Sequence, residues 1–169
     1  NIILLNIIDL VKGDKMDIIK KIVKFLIFLL PWFIGGLVFS YNDEFYSTLS
    51  IPSFALSGKY ISIIWVIIYI LIALSIYKVS KTTKILKNND YLYVLLTNYL
   101  ANMTFPYFFF TLRSPFLGFL STVIVFVSAI FLILETKNIK KEASYYLIPY
   151  LVYNLYALIL STLIYLMNF

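Results

Sequence analysis

Five stretches of this chain, residues 25–42, 60–77, 91–112, 114–134 and 143–169, contain no Asp, Glu, Lys or Arg, and each runs for 18 or more residues. A hydrocarbon core about 30 Å thick is crossed by roughly 20 apolar residues at about 1.5 Å of rise per residue, so every run has close to spanning length. Hydrophobic residues make up 62% of the 169 and the mean hydropathy is +0.93, more than one soluble core of this size can hide. The chain therefore reads as an all-α membrane protein, a single bundle of five transmembrane helices over residues 16–169 with no soluble module beside it.

The charges orient that bundle. Lys12, Lys15, Lys20, Lys21 and Lys24 precede the first run, Lys78, Lys81, Lys84 and Lys87 separate the second and third, and Lys137, Lys140 and Lys141 separate the fourth and fifth. The other side has only Lys59 and Arg113. Basic residues collect on cytoplasmic loops, which predicts the N-terminus inside and the C-terminus outside. The net charge of +6 is thus accounted for by lipid head groups, and no nucleic-acid partner is implied. Lys-, Asn- and Ile-rich usage suggests an AT-rich bacterial genome and hence a bacterial cytoplasmic membrane.

Residues 1–15 lack the cleavage site and apolar length of a signal peptide. Met16 opens Met-Asp-Ile-Ile-Lys-Lys, as a short cytoplasmic lead would, so 1–15 read either as an extension upstream of the physiological start or as an amphipathic surface segment. Pro31, Gly35 and Gly36 lie in the first run, where glycine permits close helix approach. Residues 41–59 form the longest connection, on the outer side, and its length favours a loop with a task such as covering an opening. Pro149 is expected to kink the start of the fifth helix or to end a surface turn before it.

Without Cys or His, thiolate and imidazole chemistry is excluded. Without an ionisable residue inside any run, an ion-coupled pump is disfavoured. What lies at depth is amide and aromatic. Asn98, Asn102, Phe105 and Phe109 recur at i, i+4, i+7 and i+11 on one face of the third helix, Tyr153, Ala157 and Ser161 mark a face of the fifth beside Tyr150 and Leu160, and Trp65 and Tyr69 mark one on the second. Flat rings with a few polar tips suit a large, flat, mostly apolar ligand. The competing reading takes the amides as interhelical glue. The chain is then a structural or assembly protein acting through helix–helix contacts at Gly35, Gly36, Gly118 and Thr122.

Several blocks share an order with a known family. Pro52-Ser53-Phe54, Gly58 and Ile63-Ile64-Trp65-Val66 with Tyr69, then Asn98-Tyr99-Leu100-Ala101-Asn102 with Phe109-Phe110, then Leu147-Ile148-Pro149-Tyr150-Leu151, and finally Asn168, resemble the signature blocks of the tryptophan-rich sensory proteins, also called translocator proteins or peripheral-type benzodiazepine receptors. The resemblance covers about residue 17 to the end. It implies a five-helix bundle, often a homodimer, that binds tetrapyrroles such as protoporphyrin and haem, and in some members sterols or benzodiazepine-type drugs, beneath the loop joining the first two spans. Carried over position by position, it implies a pocket lined by Trp65, Asn98, Asn102, Phe105, Tyr153 and Ala157, with Tyr46 and Pro52 on the covering loop. Phe105 and Tyr153 stand where the family has Trp, and Leu56-Ser57 where it has two Pro. Light-driven porphyrin breakdown, proposed for some members through their tryptophans, would have only Trp65 to work with among those positions. Iron ligation is not implied, because Tyr or Met would have to replace His or Cys.

Overall fold

The computed structural model describes the backbone of residues 2–39 and 42–169 and the side chains of 16–39, 42 and 44–169. Among the described residues every regular element is helical. Helix α1 (Ile2–Leu29) is continuous from Ile2 into the first charge-free run, so Lys20, Lys21 and Lys24, which precede that run, lie on the same helix. Pro31 has no N–H to continue the ladder, and the chain tightens there into a 3₁₀ turn, Leu30–Phe33, before α2 (Ile34–Val38). The apolar segment able to span is accordingly Met16–Val38.

A short helix, α3 (Asp43–Thr48), sits within the long connection and is capped by the Asn42 carboxamide oxygen, which accepts from Phe45 N–H at 2.9 Å. Helices α4 (Gly58–Val79) and α6 (Pro115–Ile139) are long and uninterrupted. Between them α5 (Asn89–Pro106) passes into a π-helical turn, Tyr107–Thr111, in which Leu112 N–H reaches the Tyr107 carbonyl at 2.9 Å. The reversal into α6 is closed by Arg113 in the left-handed region (φ 50°), with the Ser114 hydroxyl capping Leu117 N–H and Pro115 in the first turn. Pro149 begins α8 (Ile148–Met167) from inside its first turn. The break before it is a 3₁₀ turn, Tyr145–Leu147, that follows the short α7 (Lys141–Ser144).

Four helical segments among the described residues are long and apolar enough to cross a membrane: Met16–Val38, Gly58–Val79, Pro115–Ile139 and Lys141–Met167. Helix α5 is not among them. It carries Asn98 and Asn102 into the bundle, and those polar groups lower its hydropathy for the same reason that they are useful inside.

The bundle is solid at one end and hollow at the other. On α4, Ile68, Ile72, Ile76 and Val79 are buried toward the lysine-rich end, where they pack with Tyr91 of α5, Leu132 of α6 and Leu147 and Tyr150 of the last segment. The Ser75 hydroxyl ties α4 to the Ala143 carbonyl at 2.9 Å. Small residues let the backbones approach along α6, where Gly118, Ser121, Thr122, Ser128 and Ala129 are all buried. Outward-facing positions such as Ile124, Val127, Phe131 and Leu134 on α6 are exposed and apolar, as a lipid-facing surface requires.

Candidate functional site

At the hollow end, beneath the Asn42–Ser57 connection, lies a cavity of about 730 Å³. That is within the range of about 300–1,000 Å³ typical of small-molecule sites. Each helix that lines it turns a stripe inward: Phe33, Gly36 and Phe39 from the first segment, Ser62, Trp65 and Tyr69 from α4, Asn102, Phe105 and Phe109 from α5 and its π turn, Thr122 and Val125 from α6, and Tyr153, Ala157 and Ser161 from α8.

The rings interlock. Trp65 lies 5.4 Å from Tyr69 and meets Tyr153 edge-on at 5.5 Å, and Tyr69 continues to Trp32 at 5.9 Å. Across the cavity Phe105 stacks on Phe109 at 5.6 Å, and Phe109 meets Phe110 edge-on at 4.9 Å. Such contacts hold the ring planes in place, so the walls are preformed faces. The extra residue of the π turn turns both Phe109 and Phe110 to the wall, a common use of such turns at functional sites.

The floor is a hydrogen-bonded cluster. Asn98 is fully buried. Its Nδ2 donates to the Val125 carbonyl (3.2 Å) and the Ser128 hydroxyl (2.9 Å), and its Oδ1 accepts from the Tyr150 hydroxyl (2.9 Å). Asn102 Nδ2 donates to the Asn98 carbonyl (2.8 Å) and to Tyr150 Oη (2.7 Å). Because a carbonyl oxygen can only accept, the first bond fixes which end of the Asn102 carboxamide is nitrogen. Its Oδ1 has no partner among the described residues, and Asn102 lines the cavity, so this oxygen is the acceptor its carboxamide has left to offer on a largely apolar wall. Asn154 is 2% exposed, and its Nδ2 has no hydrogen-bond partner among the described residues. Asn98→Ala is expected to lower stability by about 1–3 kcal/mol, because Tyr150 and Ser128 lose a buried partner. A thermal midpoint that does not fall in the same detergent would contradict this. Adding Tyr150→Phe should cost less than the sum of the single changes.

The roof is latched to α8. Asn168 Oδ1 accepts from Ser50 N–H at 2.8 Å while its Nδ2 donates to the Ser50 carbonyl at 2.8 Å, and Leu56 N–H donates to the Tyr156 hydroxyl at 3.0 Å. Phe45 and Tyr46 lie over Phe109 at 5.6 and 6.4 Å. Burial first, and the Tyr156 phenol second, push the Tyr46 hydroxyl above its ordinary range. The Arg113–Glu44 contact at 4.0 Å is exposed and adds little.

Of the residues singled out from the sequence, Trp65, Tyr69, Asn102, Phe105, Phe109, Tyr153, Ala157 and Tyr46 line this one space. Asn98 and Pro52 do not: Asn98 lies one turn deeper, spent on the floor, and Pro52 stays in the roof away from the wall. Phe33, Gly36 and Phe39 were not expected there, although their i, i+3, i+6 spacing carries the signal.

A family model described as TspO/MBR family matches residues 25–166. The chain belongs to the TspO/MBR family. It is 34% identical over 153 residues to the uncharacterized membrane protein YtaB of Bacillus subtilis strain 168, covering 88% of this chain and 99% of that protein. It is 31% identical over 149 residues to the tryptophan-rich protein TspO of Bacillus cereus, covering 88% and 97%. With these bacterial relatives and its long apolar helices, this TspO/MBR member is an integral protein of a bacterial membrane. The small residues that would serve an assembly interface are largely occupied within the chain. Gly35 packs on Met103, Gly118 on Phe109, and Thr122 shares a hydrogen bond with Ser161 at 2.5 Å.

Proposed function

We propose that this protein binds flat lipophilic ligands, tetrapyrroles such as protoporphyrin foremost, within the membrane, as a sensor, sequestering protein or carrier. The observation that carries the reading is the cavity itself: preformed ring faces, one oriented acceptor at Asn102 and a latched roof. Stacking on Trp65 and Tyr153 favours a planar conjugated system, and Asn102 Oδ1 favours one that offers an N–H or O–H. In this reading α5 is the fifth spanning helix, its amides shielded from lipid by its neighbours, and the lysine-rich end faces the cytoplasm across the cytoplasmic membrane.

Trp65 provides the test. In a Trp32→Phe background it is the sole tryptophan. Titration with protoporphyrin should quench its emission saturably. Emission unchanged up to high micromolar ligand would sink the proposal.

A further inference from the structure

Among the described residues that line the cavity, Lys59 is the only Asp, Glu, Lys or Arg. It occupies the first turn of α4 beside Gly58, at the roof end, six residues before Trp65, which at about 1.5 Å of rise per residue places it roughly 9 Å along the helix from the ring. Its side chain is exposed at the mouth. Among the described residues the ion pairs are Lys20–Asp17 and Arg113–Glu44, so none of the described carboxylates pairs with Lys59. The remaining wall is aromatic, aliphatic, hydroxyl and amide. It offers no compensation for an ionised group carried to depth, which would be strongly penalised there. Neutral flat lipophiles need no such cation, whereas an acid has one place to keep its charge.

We propose that the cavity selects lipophiles bearing a carboxylate, with Lys59 receiving that group at the mouth while the apolar body lies against Trp65 and Tyr153. The inference rests on the binding role proposed above and adds the chemical class and orientation of the ligand. The ammonium donates to the carboxylate in a partly hydrated setting, so the acid avoids full desolvation and the ring system alone is buried. The positive end of the α4 dipole acts in the same direction.

The experiment compares protoporphyrin, a diacid, with its uncharged dimethyl ester on the full chain in nanodiscs of zwitterionic lipid, so that the bilayer contributes no net charge. Wild type should bind the diacid about three- to tenfold more tightly than the diester, the range expected of a partly exposed charge-assisted contact. That ratio should shrink as salt is raised. Lys59→Gln should bring it to about one, and Lys59→Glu should invert it. A diacid-to-diester ratio in Lys59→Gln equal to that of wild type would overturn the inference while leaving the cavity's binding role standing. Failure of wild type to bind either compound would overturn both. Because Lys59 is exposed, both variants should fold, which a thermal midpoint equal to wild type confirms.

Discussion

Gly118→Leu is expected to unfold the hollow end of the bundle, lowering stability by more than the about 1–3 kcal/mol typical of an overpacked methylene. A Cβ at this position would overlap the edge of the Phe109 ring. That ring is held on three sides, stacked on Phe105 at 5.6 Å, met edge-on by Phe110 at 4.9 Å and covered by Phe45 at 5.6 Å, so it can yield only toward the cavity it lines. Even Gly118→Ala must displace Phe109 into the cavity, so ligand affinity should fall together with the thermal midpoint. Gly35 provides the internal contrast. There a Cβ would meet Met103 Sδ at 3.1 Å and Met103 Cα at 3.3 Å: the thioether can shift by a few tenths of an ångström at the expense of the Gly35 N–H contact to that sulfur, and the backbone contact is tight without being the overlap met at Gly118. Gly35→Ala should therefore cost less than Gly118→Ala. Thermal unfolding of the two variants in one detergent checks the order, and equal midpoints would contradict the packing described.

Much of this was legible in the sequence because membrane physics writes in composition. Charge-free runs mark helices, lysines mark one end, and rings recurring every three or four residues mark a common face. Most of the cavity wall follows from that periodicity. It fails where the backbone departs from 3.6 residues per turn. Proline at 31 substitutes a 3₁₀ turn, and the π turn after Pro106 adds a residue, so Phe110 reaches the wall along with Phe109, which simple spacing would not place together. Asn98 and Asn102 share a stripe, and only depth separates floor from wall. That difference depends on where Val125, Ser128 and Tyr150 stand on two other helices. The roof latch was equally hidden, since Ser50 and Asn168 meet only when the chain's two halves are folded together.

The polar cluster also explains how so apolar a protein keeps a cavity between its helices. Asn98, Asn102, Tyr150 and Ser128 fix the helices by directional bonds just below the cavity, so the walls cannot close by sliding inward as a purely greasy interface could. Above it, the latch through Asn168 and Tyr156 holds the roof at a set height. A solid half thus supports a hollow half.

The central claim, that this hollow is where the ligand sits, is met most directly at Gly36. It lies on the Phe33–Gly36–Phe39 stripe that lines the cavity, and a Cβ there would find nothing within 4 Å. Gly36→Phe therefore adds a side chain to empty space without the collision that defeats Gly118→Leu. The measurement is protoporphyrin affinity of Gly36→Phe beside its thermal midpoint. The account predicts a midpoint no lower than that of wild type by more than a few degrees, with affinity reduced about tenfold or more, equivalent to about 1.4 kcal/mol of lost binding. A stably folded Gly36→Phe protein that binds protoporphyrin as tightly as wild type would contradict it.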